Sequence, residues 1–287
     1  MSQIVPVVMF HHVSPAGGMI NTSPQHFESQ LKALQHAGYH TLTGQQFAAF
    51  LAGQPVPEKS VLLTFDDGYL NNWVYAHPIL QKYGMHALLF LITDLIGSGE
   101  ARPHAGMANA VLPQAYDHKR SQQLIQDHQA DKVMLRWSEV KAMQAAGTFE
   151  FHSHTHTHTR WDKQLPATEK NQKMQYELAQ SRQSLLQHLG TCSNQLCWPQ
   201  GYFDDDYVQI AQAHGFEILY TTQAFGFNKA YMDPRYIYRI SDRDRPGSWL
   251  IKRLWLARQP LMGGLYHRFK AFKKSKRKAL RQWLKRS

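Results

Sequence analysis

Two short stretches carry side chains that could act together on one bond. Thr64-Phe65-Asp66-Asp67-Gly68 offers adjacent carboxylates, and Ser153-His154-Thr155-His156-Thr157-His158 offers imidazoles in a dense run. His154 and His158 are separated by three residues, a spacing that lets two rings converge from one turn of chain. Asp67, arriving from a different strand, completes a set of three N and O ligands. Structural zinc sites are usually closed by four protein ligands, whereas three leave a position for water. Asp66 is then a spare carboxylate beside that water, placed to take its proton. Each stretch alone has a blander explanation. Asp-Asp-Gly is common turn chemistry, and His152, His154, His156 and His158 alternating with Ser and Thr could form a solvated strand edge or a fortuitous metal-binding tract. Their coexistence in one chain favours catalysis.

At these residues the chain resembles the polysaccharide deacetylases, carbohydrate esterase family 4, which share the NodB homology domain. The resemblance spans most of residues 1–245. It implies that Asp66 is the general base, that Asp67, His154 and His158 hold the metal, and that His152 and His156 do not. Trp198-Pro199-Gln200-Gly201-Tyr202 is similar to the family's third motif, which walls the substrate groove and gives a backbone N–H, here that of Gln200, to the oxyanion. Cys197 stands where the family has Arg, and Gln200 where it has Tyr, so what orients Asp66 is open. The opening Val5-Pro6-Val7-Val8-Met9-Phe10-His11-His12 resembles the aromatic-His start of the exopolysaccharide N-deacetylase branch. In that branch the general acid comes from the first strand, which implies His11, with His12 as the alternative. The implied reaction is metal-dependent hydrolysis of an N-acetyl sugar amide, releasing acetate. Zn²⁺ is the expected ion, and Co²⁺ or Ni²⁺ suits the same ligands.

These residues must be positioned by an α/β framework. Apolar strand-like runs occur at 5–10, 61–65, 87–93, 149–152, 195–198 and 218–222, with helix-like stretches at 24–37, 73–82, 138–146, 166–189 and 205–214. Gly38, Gly84, Gly147, Gly190 and Gly215 close the helices. Such alternation predicts parallel β/α units, and with the resemblance it becomes a distorted, incomplete (β/α) barrel over residues 1–250. Asp66 and Asp67 then fall at a strand's C-terminal end, the usual address of catalytic groups in such barrels. Residues 97–131 interrupt the pattern and read as an insertion, either a lid over the groove or a disordered loop. His104, His118 and His128 are expected there as exposed loop residues.

Charge is segregated. Of 32 Lys and Arg, 13 lie in residues 251–287, which contain no Asp or Glu, leaving 19 basic against 21 acidic groups elsewhere. Leu265, Phe269, Phe272, Ala279, Leu280, Trp283 and Leu284 share one arc of a helical wheel. A basic amphipathic helix of this kind reads as an anchor on an anionic membrane surface. Packing on the barrel, nonspecific nucleic-acid binding or a solvated end are the other readings. Cys192 and Cys197 form neither a zinc motif nor a disulfide framework and are expected as thiols. The start lacks the pattern of a secretory signal, so the expectation is a cytoplasmic enzyme, peripheral on the inner membrane face, with a glycan or lipid-linked precursor as substrate. The competing class is a noncatalytic carbohydrate- or membrane-surface-binding relative. Retention of Asp66, which binding alone does not need, favours the enzyme.

Overall fold

The structure, a computed structural model, describes residues 3–224, 226–259 and 262. In chain order the strands are β1 (Val7–Phe10), β2 (His12–Val13), β3 (Asn21–Thr22), β4 (His40–Thr41), β5 (Ser60–Phe65), β6 (Ala87–Leu91), β7 (Phe149–Ser153), β8 (Gln195–Cys197), β9 (Ile218–Tyr220) and β10 (Ile240–Ser241). The α-helices are α1 (Pro24–His36), α2 (Gly44–Leu51), α3 (His77–Tyr83), α4 (His118–Gln126), α5 (Trp137–Ala145), α6 (Ala167–Leu189), α7 (Asp205–Ala213) and α8 (Gly247–Ala257). The main sheet is ordered β10-β1-β5-β6-β7-β8-β9, with β4 alongside the start of β5, and every pairing in it is parallel. It is a curled, incomplete barrel whose two ends, β10 and β9, do not pair.

Burial on both faces explains the near-continuous apolar strands. Val8, Leu63, Phe65, Leu89 and Phe151 face outward into the layer shared with the surrounding helices. Val7, Leu62, Leu88, Phe90 and Tyr220 face inward and meet Phe47 and Phe50 of α2, which plugs the bottom of the barrel. This side-chain alternation puts Leu62, Thr64 and Asp66 on one face of the β5 path, with Asp66 just beyond the strand's C-terminal end. Ten of the eleven expected strand and helix segments appear at nearly their expected bounds. The eleventh, 73–82, is divided: a wide π-type turn at Asn72–Ala76 precedes α3. That turn follows motif one directly and presents Asn71 to the strand end opposite, a use of π geometry common near functional sites.

Two expectations change. The boundary at residue 250 falls inside α8, whose Leu250, Leu254 and Ala257 are buried in the outer layer. A Cβ on Gly247 would collide with the Ser29 carbonyl, so glycine is what lets α8 lie close on α1. Residues 251–257 therefore belong to the barrel, while the proposed amphipathic arc from Leu265 to Leu284 lies outside the described residues. The insertion is no formless loop either. It contains α4, started by an Asp117 side chain that accepts the Arg120 N–H. Glu139, fully buried, receives Arg102 through Nε at 2.7 Å and Nη2 at 2.8 Å, as well as the backbone N–H groups of Arg102 and Arg136. This bidentate pair ties the insertion's start to α5.

Removing one partner of a buried pair leaves the other uncompensated, which typically costs about 3–5 kcal/mol. Glu139→Ala is expected to lose stability of that order in urea unfolding and to expose residues 97–117 to limited proteolysis. Unchanged cleavage would show that other contacts hold the insertion.

Candidate active site

At the C-terminal ends of β1, β5, β7 and β8 the chain leaves the sheet in sharp, partly strained turns. Asp67, Thr155, His158 and Gln200 all have positive φ, at 77°, 65°, 61° and 53°. Non-glycine residues rarely adopt this region, and outliers of this kind cluster where function needs an unusual side-chain direction. A cavity of about 190 Å³ opens among these turns, with His11, Asp66, Asp67, His154, His158 and Gln200 in its lining.

The three expected ligands converge. Asp67 Oδ1 is 3.4 Å from His154 Nε2 and 3.8 Å from His158 Nε2, and one donor atom from each residue lies within 4.8 Å of the others. Ligand bonds of about 2.0–2.2 Å in a tetrahedron require donors at such separations. His154 Nδ1 donates to the Cys197 carbonyl at 2.7 Å, which fixes the ring and turns Nε2 toward Asp67, the outer support usual for ligating histidines. Burial alone would lower the pKa of His154, but the facing Cys197 and Asp67 outweigh it and hold the ring well above its ordinary value. His158 is pushed down to about 4 by burial and by the adjacent His154 charge. The two rings facing Asp67 are thus shifted in opposite directions. A divalent ion held there would need each ligating nitrogen free of its proton. The set fits a single divalent cation.

Asp66 is held differently, and here the structure supplies a residue that the sequence motifs missed. Arg239, wholly buried just before β10, grips both Asp66 oxygens, Nη1 to Oδ1 at 2.7 Å and Nη2 to Oδ2 at 2.8 Å. Its remaining N–H groups go to the Thr221 carbonyl at 2.7 Å, Thr64 Oγ1 at 3.4 Å and Cys197 Sγ at 3.0 Å, so all five donors are used. The guanidinium therefore reaches the position beside Cys197 from another strand and answers what orients Asp66. Burial raises the pKa of Asp66, but Arg239 outweighs it and leaves the carboxyl below its ordinary value. The run Tyr236-Ile237-Tyr238-Arg239-Ile240, a β-branched and aromatic stretch holding one cation, was the available signal.

His11 and His12 separate clearly. His11 lines the cavity with Nε2 at 3.7 Å from Asp66 Oδ2. His12 is buried, stacked on Tyr69 at 3.8 Å, and lowered to about 3 by burial. A ring held neutral and outside the cavity lining is unsuited to deliver a proton, so the alternative acid assignment falls away. In the third motif only Gln200 lines the cavity. Trp198 and Pro199 are buried beneath it, and Tyr202 is half-buried under the Arg160 guanidinium, which lies 4.3 Å from its ring centre. Gly201, with φ of 69°, passes so close to Thr222 that a Cβ would strike its hydroxyl. These four residues are not in the lining of this cavity. His104 packs edge-on to Trp73 at 4.6 Å, and His128 occupies a turn. His118 does not behave as an exposed loop residue: it lines the cavity from α4. Cys192 and Cys197 are free thiols, as expected.

Arg239→Ala should leave Asp66 as a buried, unpaired carboxylate and cost about 3–5 kcal/mol near neutral pH. Because Arg239 depresses the folded-state pKa of Asp66, the pair stabilises above the unfolded carboxylate value of about 4 and ceases to do so as pH falls through the folded value. The gap between wild type and variant is thus expected to narrow in acid. Denaturation curves with a constant gap from pH 7 to pH 3 would contradict this.

The sequence profile described as "Polysaccharide deacetylase" matches residues 53–219. The Bacillus subtilis protein YxkH is 42% identical over 94 residues, which is 32% of this chain and 33% of that one. A Staphylococcus aureus poly-beta-1,6-N-acetyl-D-glucosamine N-deacetylase is 26% identical over 238 residues, 81% of this chain and 71% of that protein. The solved structure of IcaB from Ammonifex degensii superposes with a TM-score of 0.69 at 25% identity, covering 90% of this chain and 99% of IcaB. His11 and Arg239 lie outside the profile's span, yet the fold delivers both to the carboxylates that lie within it. With its profile match covering more than half of the sequence, the chain belongs to the polysaccharide deacetylase family, hydrolases of N-acetyl amide bonds.

Proposed function

We propose that the protein is a metal-dependent N-deacetylase of the exopolysaccharide type, acting on an N-acetylated sugar in a glycan or lipid-linked precursor. The observation that carries this reading is the division of labour between adjacent carboxylates. Asp67 faces His154 and His158 as a ligand set, while Asp66, which also lies near His154, has both oxygens paired to Arg239. The expected Zn²⁺, bound by Asp67, His154 and His158, would polarise the amide carbonyl and bring a water near a pKa of about 7. Asp66 would accept the proton released as water adds to the amide carbon. The Gln200 backbone N–H, at the strained turn beside the cavity, is assigned to the developing oxyanion. His11 is assigned to protonate the departing amine, which leaves poorly as an anion. The similarity to a poly-beta-1,6-N-acetyl-D-glucosamine N-deacetylase supports a hexosamine polymer as the substrate class.

Asp66→Asn is expected to retain about one metal equivalent per chain and lose at least a hundredfold in acetate release, within the span typical of general base catalysis. Asp67→Asn should lose metal affinity itself, checked by elemental analysis after dialysis. Equal metal loss in both would show that the roles are not divided this way.

The same reading places the enzyme at the inner membrane face, held by the basic segment beginning in α8. Lys252 and Arg253 lie in α8, whose Trp255 is 52% exposed, and the sequence beyond continues basic and amphipathic. Among the described residues no helix is long and apolar enough to cross a membrane. Since α8 is part of the barrel, the informative truncation removes residues 260–287. It is expected to abolish flotation with anionic vesicles while preserving hydrolysis of a short soluble substrate. Undiminished flotation would reject the anchor.

A further inference from the structure

Both imidazoles of the ligand set lie on one short excursion of chain beyond β7, and that excursion is bent twice against backbone preference. Thr155 and His158 have φ of 65° and 61°, so two non-glycine residues close in sequence sit in the left-handed region. Strain of this kind persists only where the surroundings over-determine the chain. The second bend brings His158 Nε2 back to within 3.8 Å of Asp67.

What over-determines this stretch is a carboxylate that belongs to none of the motifs. Glu177, buried on α6, accepts four hydrogen bonds from the excursion. Its Oε2 takes the backbone N–H groups of His156 at 2.9 Å and Thr157 at 2.7 Å. Its Oε1 takes the Thr157 hydroxyl at 2.5 Å and the Trp161 indole N–H at 3.1 Å. The two residues gripped through their backbone are the ones between the strained positions. One helical turn further along α6, Ser181 shares a hydrogen bond of 2.7 Å with Ser153, whose hydroxyl accepts the Thr155 N–H at 3.1 Å. From the other side, the N–H groups of Thr93 and Asp94 reach the carbonyls of Thr155 and His156 at 3.4 Å and 3.0 Å. The His158 N–H itself donates to Thr155 Oγ1 at 3.2 Å. A carboxylate suits the central place because it accepts at both oxygens and donates at neither. A carboxamide would turn its NH₂ group on one pair of these donors.

We infer that Glu177 is a positioning residue for the metal centre: by gripping His156 and Thr157 it keeps the excursion bent and so holds His158 within reach of an ion shared with Asp67 and His154. This rests on the ligand set of the metal-dependent reading above. Without the carboxylate the excursion relaxes toward ordinary φ, and the site falls back on two protein ligands. The test is Zn²⁺ affinity, measured on the full chain by competition with a chromogenic chelator, for Glu177→Gln, for His158→Ala and for the double variant. Glu177→Gln is expected to weaken Zn²⁺ binding by about tenfold or more, the range usual for partners that orient metal ligands. In the His158→Ala background it should cost nothing further, because the ligand it positions is already gone. Leu178→Ala, at the neighbouring buried residue of α6 that packs into the apolar layer, controls for destabilisation alone and should bind Zn²⁺ as wild type does. Unchanged affinity in Glu177→Gln, equal losses in the two backgrounds, or an equal loss in Leu178→Ala overturns the inference. Should Glu177→Gln fail to fold, Thr157→Val removes one of the four donors and is read in the same two backgrounds. A loss of about fivefold, the equivalent of one net hydrogen bond, confined to the chain that retains His158 then supports the inference, and any other result overturns it. Wild type binding no Zn²⁺ would overturn the metal-dependent reading and the role of Glu177 together, whereas wild-type binding with unaltered variants overturns the role of Glu177 alone.

Discussion

The bidentate grip of Arg239 on Asp66 is the constraint around which the upper end of the barrel is organised. A buried carboxylate beside a cation site would by itself be drawn toward the metal or protonated. With both oxygens paired to a guanidinium, Asp66 is held below its ordinary carboxylate value even though His11 and His154 lie near it, and the neighbouring Asp67 is the carboxylate that faces both His154 and His158. The arginine is tolerated in the interior because each of its N–H groups has an acceptor. Two of those acceptors, Thr64 and Thr221, belong to opposite parts of the sheet, and a third, Cys197, occupies β8. One side chain therefore links strands that are not adjacent in the sheet order.

Most of the framework was legible in the chain because parallel strands buried on both faces leave continuous apolar runs, and glycines mark where helices end. The convergence of Asp67, His154 and His158 was legible because two of them share a short segment and the third sits in a recognisable strand-end turn. Arg239 was not, since the β-branched and aromatic run around it hints only at a strand, and its partners lie far away in sequence. In the third motif Gly201 passes tightly beside Thr222, and Gln200 is the member that lines the cavity, which the sequence alone did not single out from Trp198, Pro199, Gly201 and Tyr202. The insertion was seen as an interruption, while α4 within it went unrecognised. Its low overall apolar content masks the periodic signal, in which Leu124 is the buried anchor against Tyr69, Val133 and Met134, while Arg102 and Glu139 fix the start of the insertion.

The histidines show how environment divides chemically identical groups. His11 and His12 are consecutive, yet one meets the cavity and the other is sealed under Tyr69 as a neutral hydrogen-bonding link. His154 and His158 converge on one carboxylate but are shifted in opposite directions, His154 up by the facing Cys197 and Asp67 and His158 down by burial. Strained backbone at Asp67, Thr155, His158 and Gln200 is consistent with this sorting, since each departure re-aims a side chain that an unstrained turn would send elsewhere.

The position of Arg239 in the chain also sets an order of assembly. Asp66 emerges early from the ribosome, whereas its counterion emerges 173 residues later, in the segment that leads into β10 and on to α8. Until that segment docks along β1, the nascent barrel has an open edge and a buried acid lacking its partner. Long-range closure of this kind is slow relative to local helix formation, and exposed parallel edges in incomplete chains favour aggregation. A ribosome stalled before residue 239 would therefore hold a chain containing Asp66, Asp67, His154 and His158 but no guanidinium for the first of them. The upper end of the barrel is completed only by the last segment of the sheet to arrive.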